Sequence, residues 1–482
     1  MTTSTEELIR QGVDKNQLQA VFEQQQERAL QLRKESAHDR ITRLKKLRDW
    51  ILAHKEEIRE ALKADFQKPV AETDLSEIYV ATSEIRHAIS HLKKWMKPTG
   101  VAAPLTMLGT KSWIQYEPKG VCLIISPWNF PFNLALGPIV SAIAAGNTII
   151  LKPSEMTPHT SKLMETMAKE TFAAAELSVV QGGVDTSQAL LELPFDHIFF
   201  TGSPQVGKIV MEAAAKNLSS VTLELGGKSP TIIDDTADIK DATKKLVFGK
   251  FMNNGQTCVA PDYILIHESK KEDFLSQMKE EITSAYDPRG KGIPASKDYA
   301  RVINDRNYDR LIGMVDGALA SGAKLYTGNG REKESRYLSP TIITDVPEDS
   351  ALMQEEIFGP VLPVVTYTDL DEAIAFINKK PKPLALYIFS KSKKNTKRVL
   401  NATSAGGTGI NDVVLQFLHL NLPFGGVNNS GIGKSHGYFG FLAFSNERAV
   451  VKQRIGFTAS TLLRPPYGPL TRKILDLMIK YF

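Results

Sequence analysis

VCLIISP (121–127), TIILKPSE (148–155), LSVVQGG (177–183), HIFFTGS (197–203) and VTLELGG (221–227) decide the fold. Each is a short β-rich apolar run that ends in turn residues, and helical patterns from about Phe132, Thr157 and Pro204 fill the gaps between them. Strands that are apolar at consecutive positions are buried on both faces, as in a parallel sheet covered by crossover helices. Ligands of such sheets bind at the carboxyl ends of the strands. A second series, SPTIIDD, YILIHES, PTIITDV, VLPVVTY and PLALYIF, continues to about Asp412. The chain therefore reads as two α/β halves with a site between them.

Outward from these halves the pattern changes. From Asp14 to about Pro98, apolar residues such as Leu44, Leu47, Ile51 and Leu52 recur three and four apart among charged neighbours, which predicts two or three surface-packing helices. Thr99–Gln115 mixes Gly, Pro and Thr with short apolar groups and predicts a small protruding hairpin or linker. PFGGVNNSGIGKSHGYFG (423–440) is dense in glycine. The tail carries RPPYGP and then TRKILDLMIKYF, whose Ile474, Leu475, Met478 and Phe482 form one helical stripe. Something must cover that stripe: the protein body, a substrate entrance or a membrane surface. Plain docking on the body is the default for so short a segment.

Composition excludes several classes of function. The 482 residues carry 59 Lys and Arg against 54 Asp and Glu, a net charge of +5, which predicts no nucleic-acid partner because phosphate binding needs a clustered basic face. The two cysteines, Cys122 and Cys258, stand 136 positions apart with no CxxC or HExxH pattern, so no disulfide framework and no metal site is expected. MTTSTEELIRQGVDKNQ has no basic start followed by an apolar run, and no segment reaches the ~18 apolar residues of a membrane span. The expected location is cytoplasmic, with the tail as the one segment suited to the periphery of a membrane.

Two residues break the local pattern. Cys122 sits inside an apolar strand and reads as a buried structural thiol, whereas Cys258 lies in the polar loop NNGQTCVAPDY, where a ligand can reach it. Its thiol would need a lowered pKa or a neighbouring base to attack a carbonyl. Glu224 puts a carboxylate at the carboxyl end of an interior strand, where burial would raise its pKa and suit a general base; a salt-bridged or edge-exposed glutamate is the alternative. FFTGSPQVGK places Gly202 and Ser203 where a strand turns into a helix, which suits either an anion or a plain turn. KPSE (152–155) ends another strand, where Lys152 and Glu155 suit ribose hydroxyls or solvent.

Together, PWNFP (127–131), KPSE (152–155), FTGS (200–203), ELGGKSP (224–230), GQTCVAP (255–261), EEIFGP (355–360) and PFGGVNNSGIG (423–433) resemble, in order, the motifs of the aldehyde dehydrogenase superfamily. The likeness spans roughly 41 to 451, and the 34-residue separation of Glu224 and Cys258 equals the family's spacing of base and nucleophile. QTCVAPDYIL, PLALYIFS, NNSGIGKSHGYFG and RPPY resemble the class three and fatty aldehyde branch, which implies apolar or aromatic substrates and a homodimer. The resemblance implies an α/β fold: a Rossmann-type NAD-binding domain (1–98 and 116–223), an α/β catalytic domain (224–418), a small β oligomerisation element (99–115 and 445–455) and a tail (456–482) that gates the tunnel or lies on a membrane. It implies oxidation of a hydrophobic aldehyde to its acid with NAD, or with NADP, and assigns Cys258 as nucleophile, Asn129 as oxyanion donor and Glu224 as base, with Glu356 sharing proton transfer. It assigns Lys152, Ser154, Glu155, Gly202, Ser203, Gly207, Glu356 and Phe358 to the cofactor, and Trp128 and Phe130 to the walls of the substrate tunnel. A CoA-acylating enzyme and a catalytically retired structural or binding relative are the rivals; Glu224 argues against the first, and the joint presence of Cys258, Asn129 and Glu224 against the second.

Overall fold

A computed structural model describes residues 14–107 and 109–481. The N-terminal segment folds into helices Lys15–Leu32, Ala37–Ala53, Lys55–Phe66 and Val80–Trp95, the last preceded by a π-helical turn at Asp74–Tyr79. This exceeds the two or three helices expected, because Ser36, His54 and the αL residue Gln67 interrupt the periodic stretch from within. Leu44, Leu47 and Ile51 are fully buried as their spacing requires, while Leu52 faces outward, 40% exposed.

The chain then forms β1 (Thr99–Val101) and β2 (Lys111–Pro118), followed by β3 (Val121–Ile125), β4 (Thr148–Lys152), β5 (Leu177–Val179), β6 (His197–Gly202) and β7 (Ser220–Leu225). Next come β8 (Pro230–Ile233), β9 (Tyr263–His267), β10 (Lys324–Thr327), the short pair β11 (Arg331–Glu332) and β12 (Tyr337–Leu338), β13 (Thr341–Thr344), β14 (Val361–Tyr367), β15 (Ala385–Phe389) and β16 (Gly407–Ile410). β17 (Gly431–Ile432) and β18 (Ser445–Lys452) complete the strands. One sheet has the order β17-β7-β6-β3-β4-β5, and all its pairs are parallel except β17 with β7. The other runs β10-β13-β14-β9-β8-β15-β16, with only the β10–β13 pair antiparallel.

Strand alternation sends Cys122 and Ile124 into one apolar layer with the N-terminal helices and Asn133–Ala145, and Val121, Leu123 and Ile125 into another against the helix Pro204–Lys216. Consecutive apolar residues follow from that two-sided burial. From β3 the chain winds to β4 and β5 on one side and then to β6 and β7 on the other, so a crevice opens between the carboxyl ends of β3 and β6. SPWNF follows β3 there, and Ser203 follows β6.

The expected boundary at 224 falls inside a strand. Glu224 and Leu225 complete β7 and so belong to the first sheet rather than opening the second. The glycine-dense segment also returns to the first sheet, where Gly431 pairs with Glu224. The projecting sheet β1-β2-β18 runs longer than the hairpin expected, with Ser445 opposite Pro118 and Lys452 opposite Lys111. The tail helix Pro469–Tyr481 is held at its start: among the described residues Thr471 is its buried position, the hydroxyl donating to the Leu462 carbonyl at 3.1 Å. Ile474 and Met478 are half-buried, whereas Leu475, Leu477 and Ile479 are exposed; Phe482 lies outside the described residues. Among the described residues no helix is long and apolar enough to cross a membrane.

Candidate active site

Cys258 lies after the helix Ile239–Phe251, in a loop where Asn253, Asn254 and Gly255 take φ of 54°, 56° and 71° in succession. At Gly255 a side chain is impossible, since a Cβ would stand 2.3 Å from the Gly359 carbonyl oxygen. That close approach brings EEIFGP onto the cysteine loop. Gln256 ties the loop down from below, donating to the Arg301 carbonyl at 3.0 Å and accepting from the Ile303 amide at 2.9 Å. Asn129 meets the loop from the β3 side: its Nδ2 donates to the Gln256 carbonyl at 3.0 Å, and its own carbonyl accepts from Asn253 Nδ2 at 2.8 Å. Among the described residues the second amide hydrogen of Asn129 has no partner.

Cys258, Asn129, Glu224, Glu356, Phe358, Gly202, Ser203 and Trp128 line one cavity of about 280 Å³. A narrower apolar cavity of about 50 Å³ reaches Cys258 from another side, lined by Leu75, Phe130, Phe248, Met252, Val414 and Phe417 among others. Of the two expected tunnel walls, only Phe130 lies in that apolar passage. Trp128 belongs to the larger cavity, its ring edge-on to Phe358 at 5.4 Å. Phe358 itself has φ 50°, a strained value for a bulky residue that fits a side chain aimed for function.

Burial sets the electrostatics. Glu224 accepts from Ser435 Oγ at 2.9 Å through Oε1, while Oε2 is buried without a partner. Desolvation pushes its carboxyl up to about 8 against the opposing pull of Ser435 and Lys434. Glu356 packs so closely on Gly226 that a Cβ there would be 2.0 Å from Oε2, and burial, with Asp262 adding to it, raises it to about 8 as well. The Cys258 thiol rises to about 12, first through burial and then through repulsion from Glu356 and Glu224. The resting thiol is therefore protonated at neutral pH, and two carboxyls able to take its proton stand at the same cavity. Cys122, fully buried in β3 with its pKa raised further still by desolvation, is structural.

The remaining expected residues divide. Lys152 and Glu155 form an ion pair of 2.7 Å at the carboxyl end of β4. Ser154 spends its hydroxyl on the turn, accepting from the Met156 amide at 3.2 Å. None of these three lines the larger cavity. Gly207 does not reach it either: it is buried where its helix crosses β7, and a Cβ would come within 2.7 Å of Leu225. Its small size serves helix–strand packing. Gly202 and Ser203, in contrast, open on the cavity at the N-terminus of Pro204–Lys216, where Ser203 caps the helix through Val206 N. A helix N-terminus beside a carboxylate–ammonium pair, both at strand carboxyl ends next to the crevice, is a donor set that fits the pyrophosphate and ribose of a dinucleotide.

Sequence reasoning missed Ser435, although it stands in the glycine-dense segment already singled out. It also missed Glu84 and His436, which line the same cavity, and Glu72, whose Oε2 accepts from the Asn253 amide at 2.9 Å. Surface-looking helical periodicity hid both glutamates.

Comparison with known proteins agrees with this geometry. Residues 4–450 match the Aldehyde dehydrogenase family. The 4,4'-diaponeurosporen-aldehyde dehydrogenase of Staphylococcus aureus is 45% identical over 448 residues, covering 93% of this chain and 95% of that one. Aldehyde dehydrogenase family 3 member B2 of Mus musculus is 42% identical, covering 91% and 90%. A solved structure described as the substrate-bound state of Staphylococcus aureus AldH superposes with a TM-score of 0.91 at 42% identity, over 96% of this chain and 99% of that one. The chain belongs to the aldehyde dehydrogenase family and is an NAD(P)-dependent aldehyde dehydrogenase.

Proposed function

We propose that this enzyme oxidises hydrophobic aldehydes, medium- or long-chain aliphatic or aromatic, to carboxylic acids through a thioester on Cys258, with NAD preferred over NADP. The observation that carries the reading is the meeting of two cavities at one thiol, a larger one that holds the carboxyls of Glu224 and Glu356 and a smaller, apolar one. An aldehyde entering past Phe130 and Phe417 would present its carbonyl to Cys258. The thiol proton goes to a carboxylate, the sulfur bonds the carbonyl carbon, and the resulting oxyanion takes the Asn129 amide and the Cys258 backbone N–H; losing one such donor costs about 10²- to 10³-fold in rate. A bound nicotinamide would supply the acceptor for the hydride, and the acyl group on Cys258 would then be a thioester. Glu224 then removes a proton from water, and hydroxide releases the acid.

Glu356 and Phe358 hold the nicotinamide end in this reading, Gly202 and Ser203 the pyrophosphate, and Lys152 and Glu155 the adenosine ribose. Residues 1–98 and 116–225 with the returning β17 are the cofactor-binding unit, and the second sheet is the catalytic one. Among the described residues no strand pairs with the outer edge of the eight-residue β18, which supports a homodimer in which that edge is covered. The exposed tail helix is the candidate gate, or the contact of an otherwise cytoplasmic enzyme with a membrane surface.

The test is absorbance at the NADH band with NAD and an alkyl aldehyde in the absence of CoA, where turnover is expected. Silence until CoA is added would favour the acylating rival, and silence throughout an inactive relative. Glu224→Gln should then leave a burst of NADH followed by a slow steady state, because acylation outlives hydrolysis. An equal fall of both phases would move the base to Glu356.

A further inference from the structure

Lys68 and Glu77 form an ion pair of 2.6 Å in which neither side chain keeps any exposed surface. A fully buried pair of this kind adds little to stability, since apolar side chains of similar volume commonly serve as well; what it does is fix geometry. That geometry converges on Asn129. The second oxygen of Glu77 accepts from the Asn133 amide at 2.8 Å, at the N-terminus of the helix Asn133–Ala145, whose own N-cap residue Phe132 makes no side-chain cap. The Lys68 ammonium stands 3.9 Å from the centre of the Phe130 ring, a close cation–π contact. The Leu134 amide donates to the Phe130 carbonyl at 2.9 Å, so both contacts fall on the turn that begins directly after Asn129. The same stretch of chain also reaches the other side of Asn129. Glu72 accepts from the Asn253 amide at 2.9 Å, and Asn253 Nδ2 donates to the Asn129 carbonyl at 2.8 Å.

We propose that the Lys68–Glu77 pair positions the Asn129 amide: it locks the start of the helix Asn133–Ala145 and the ring of Phe130, and so fixes where the Nδ2 hydrogen that Gln256 does not take is aimed when the aldehyde oxygen becomes an anion. Neither residue lines either cavity at Cys258, so both act through Asn129 as positioning residues, and no proton or electron moves on them. An oxyanion donor works only where it already stands in place, and a misplacement of about 1 Å costs about 10²-fold in rate. Carboxylate, ammonium and ring each accept their partner from a defined direction, whereas two aliphatic side chains would pack as well after a small slide. The inference rests on the reading of Asn129 as oxyanion donor beside Cys258.

The experiment measures first-turnover NADH formation by stopped flow, with the full-length enzyme in excess over an alkyl aldehyde and NAD saturating. Lys68→Met combined with Glu77→Leu removes both charges at similar volume; Lys68→Met with Glu77→Gln takes its place if melting shows that variant unfolded. NADH formation should fall at least about tenfold in the paired variant and about 10²- to 10³-fold in Asn129→Ala. Two further readouts separate positioning from a structural role. Alkylation of Cys258 by iodoacetamide passes through no oxyanion and should keep the wild-type rate in the paired variant. Adding the paired substitutions to Asn129→Ala should cost nothing more, because the amide they position is gone. A folded paired variant as fast as the wild type overturns the proposal, as does the same fold-loss with and without Asn129, or an alkylation rate that falls along with NADH formation. Each of those results leaves the roles of Cys258 and Asn129 standing. A wild type that forms no NADH, or an Asn129→Ala variant as fast as the wild type, overturns the oxyanion reading and this inference with it.

Discussion

Ser435→Ala should slow hydrolysis of the thioester without slowing its formation. Among the described residues the Ser435 hydroxyl gives the Glu224 carboxylate its one hydrogen bond, 2.9 Å long, while Lys434 donates instead to the Gly425 and Gly426 carbonyls at 2.6 and 3.1 Å. A hydrogen bond to a charged acceptor contributes about 1.5–3 kcal/mol. At about 1.4 kcal/mol per pKa unit, its loss raises Glu224 from about 8 by a further one to two units. Glu224 acts as a base only when ionised, and near neutral pH it is already below its midpoint. The ionised fraction, and with it the steady-state rate, should therefore fall about 10- to 100-fold. The sign is definite: the rate rises with pH in both enzymes, and the limb of the variant lies to the alkaline side. Stopped-flow NADH absorbance across about pH 6–10 separates the burst from the steady phase. A steady-state limb unmoved by the substitution, or a burst reduced as much as the steady rate, would refute the argument.

Cys258→Ala should abolish turnover while NAD affinity, measured by fluorescence titration, stays within a few-fold, because the thiol forms the covalent bond but little of the cofactor pocket. Glu155 should accept both ribose hydroxyls and repel a 2′-phosphate, so kcat/KM with NAD exceeds that with NADP, and Glu155→Gln narrows the gap; a wild type faster with NADP would show that Glu155 does not meet the ribose. Truncation after Pro469 should lower kcat/KM for long aldehydes more than for short ones with the melting temperature unchanged, whereas equal losses would make the tail purely structural. Vesicle sedimentation of the full chain checks the membrane contact, which fails if no protein pellets with the lipid.

The sheets were legible in the sequence because burial on both faces is a local property: Val121–Ile125 and Ile149–Leu151 are apolar at consecutive buried positions. The contrast between Cys122 and Cys258 was legible for the same reason, one thiol being set among aliphatics and the other among Asn, Gly, Gln and Thr. Ordered motifs pointed to candidate catalytic residues, and the structure gathers Cys258, Asn129, Glu224 and Glu356 at one cavity. What only the tertiary structure decided is how buried polar groups are matched. Ser435 lies 211 residues from the carboxylate it serves, and Glu72 lies 181 from the amide it holds. No periodicity marks such pairs, since a hydrogen bond joins whatever the topology brings within 3 Å. Gly207, facing Leu225 rather than the crevice, and Trp128, facing Phe358 rather than the apolar passage, were settled the same way, by the crossing of a helix over a strand and the turn after β3. Composition and pattern determine which segments leave water; the packing of those segments determines which charges must leave with them and what they meet there.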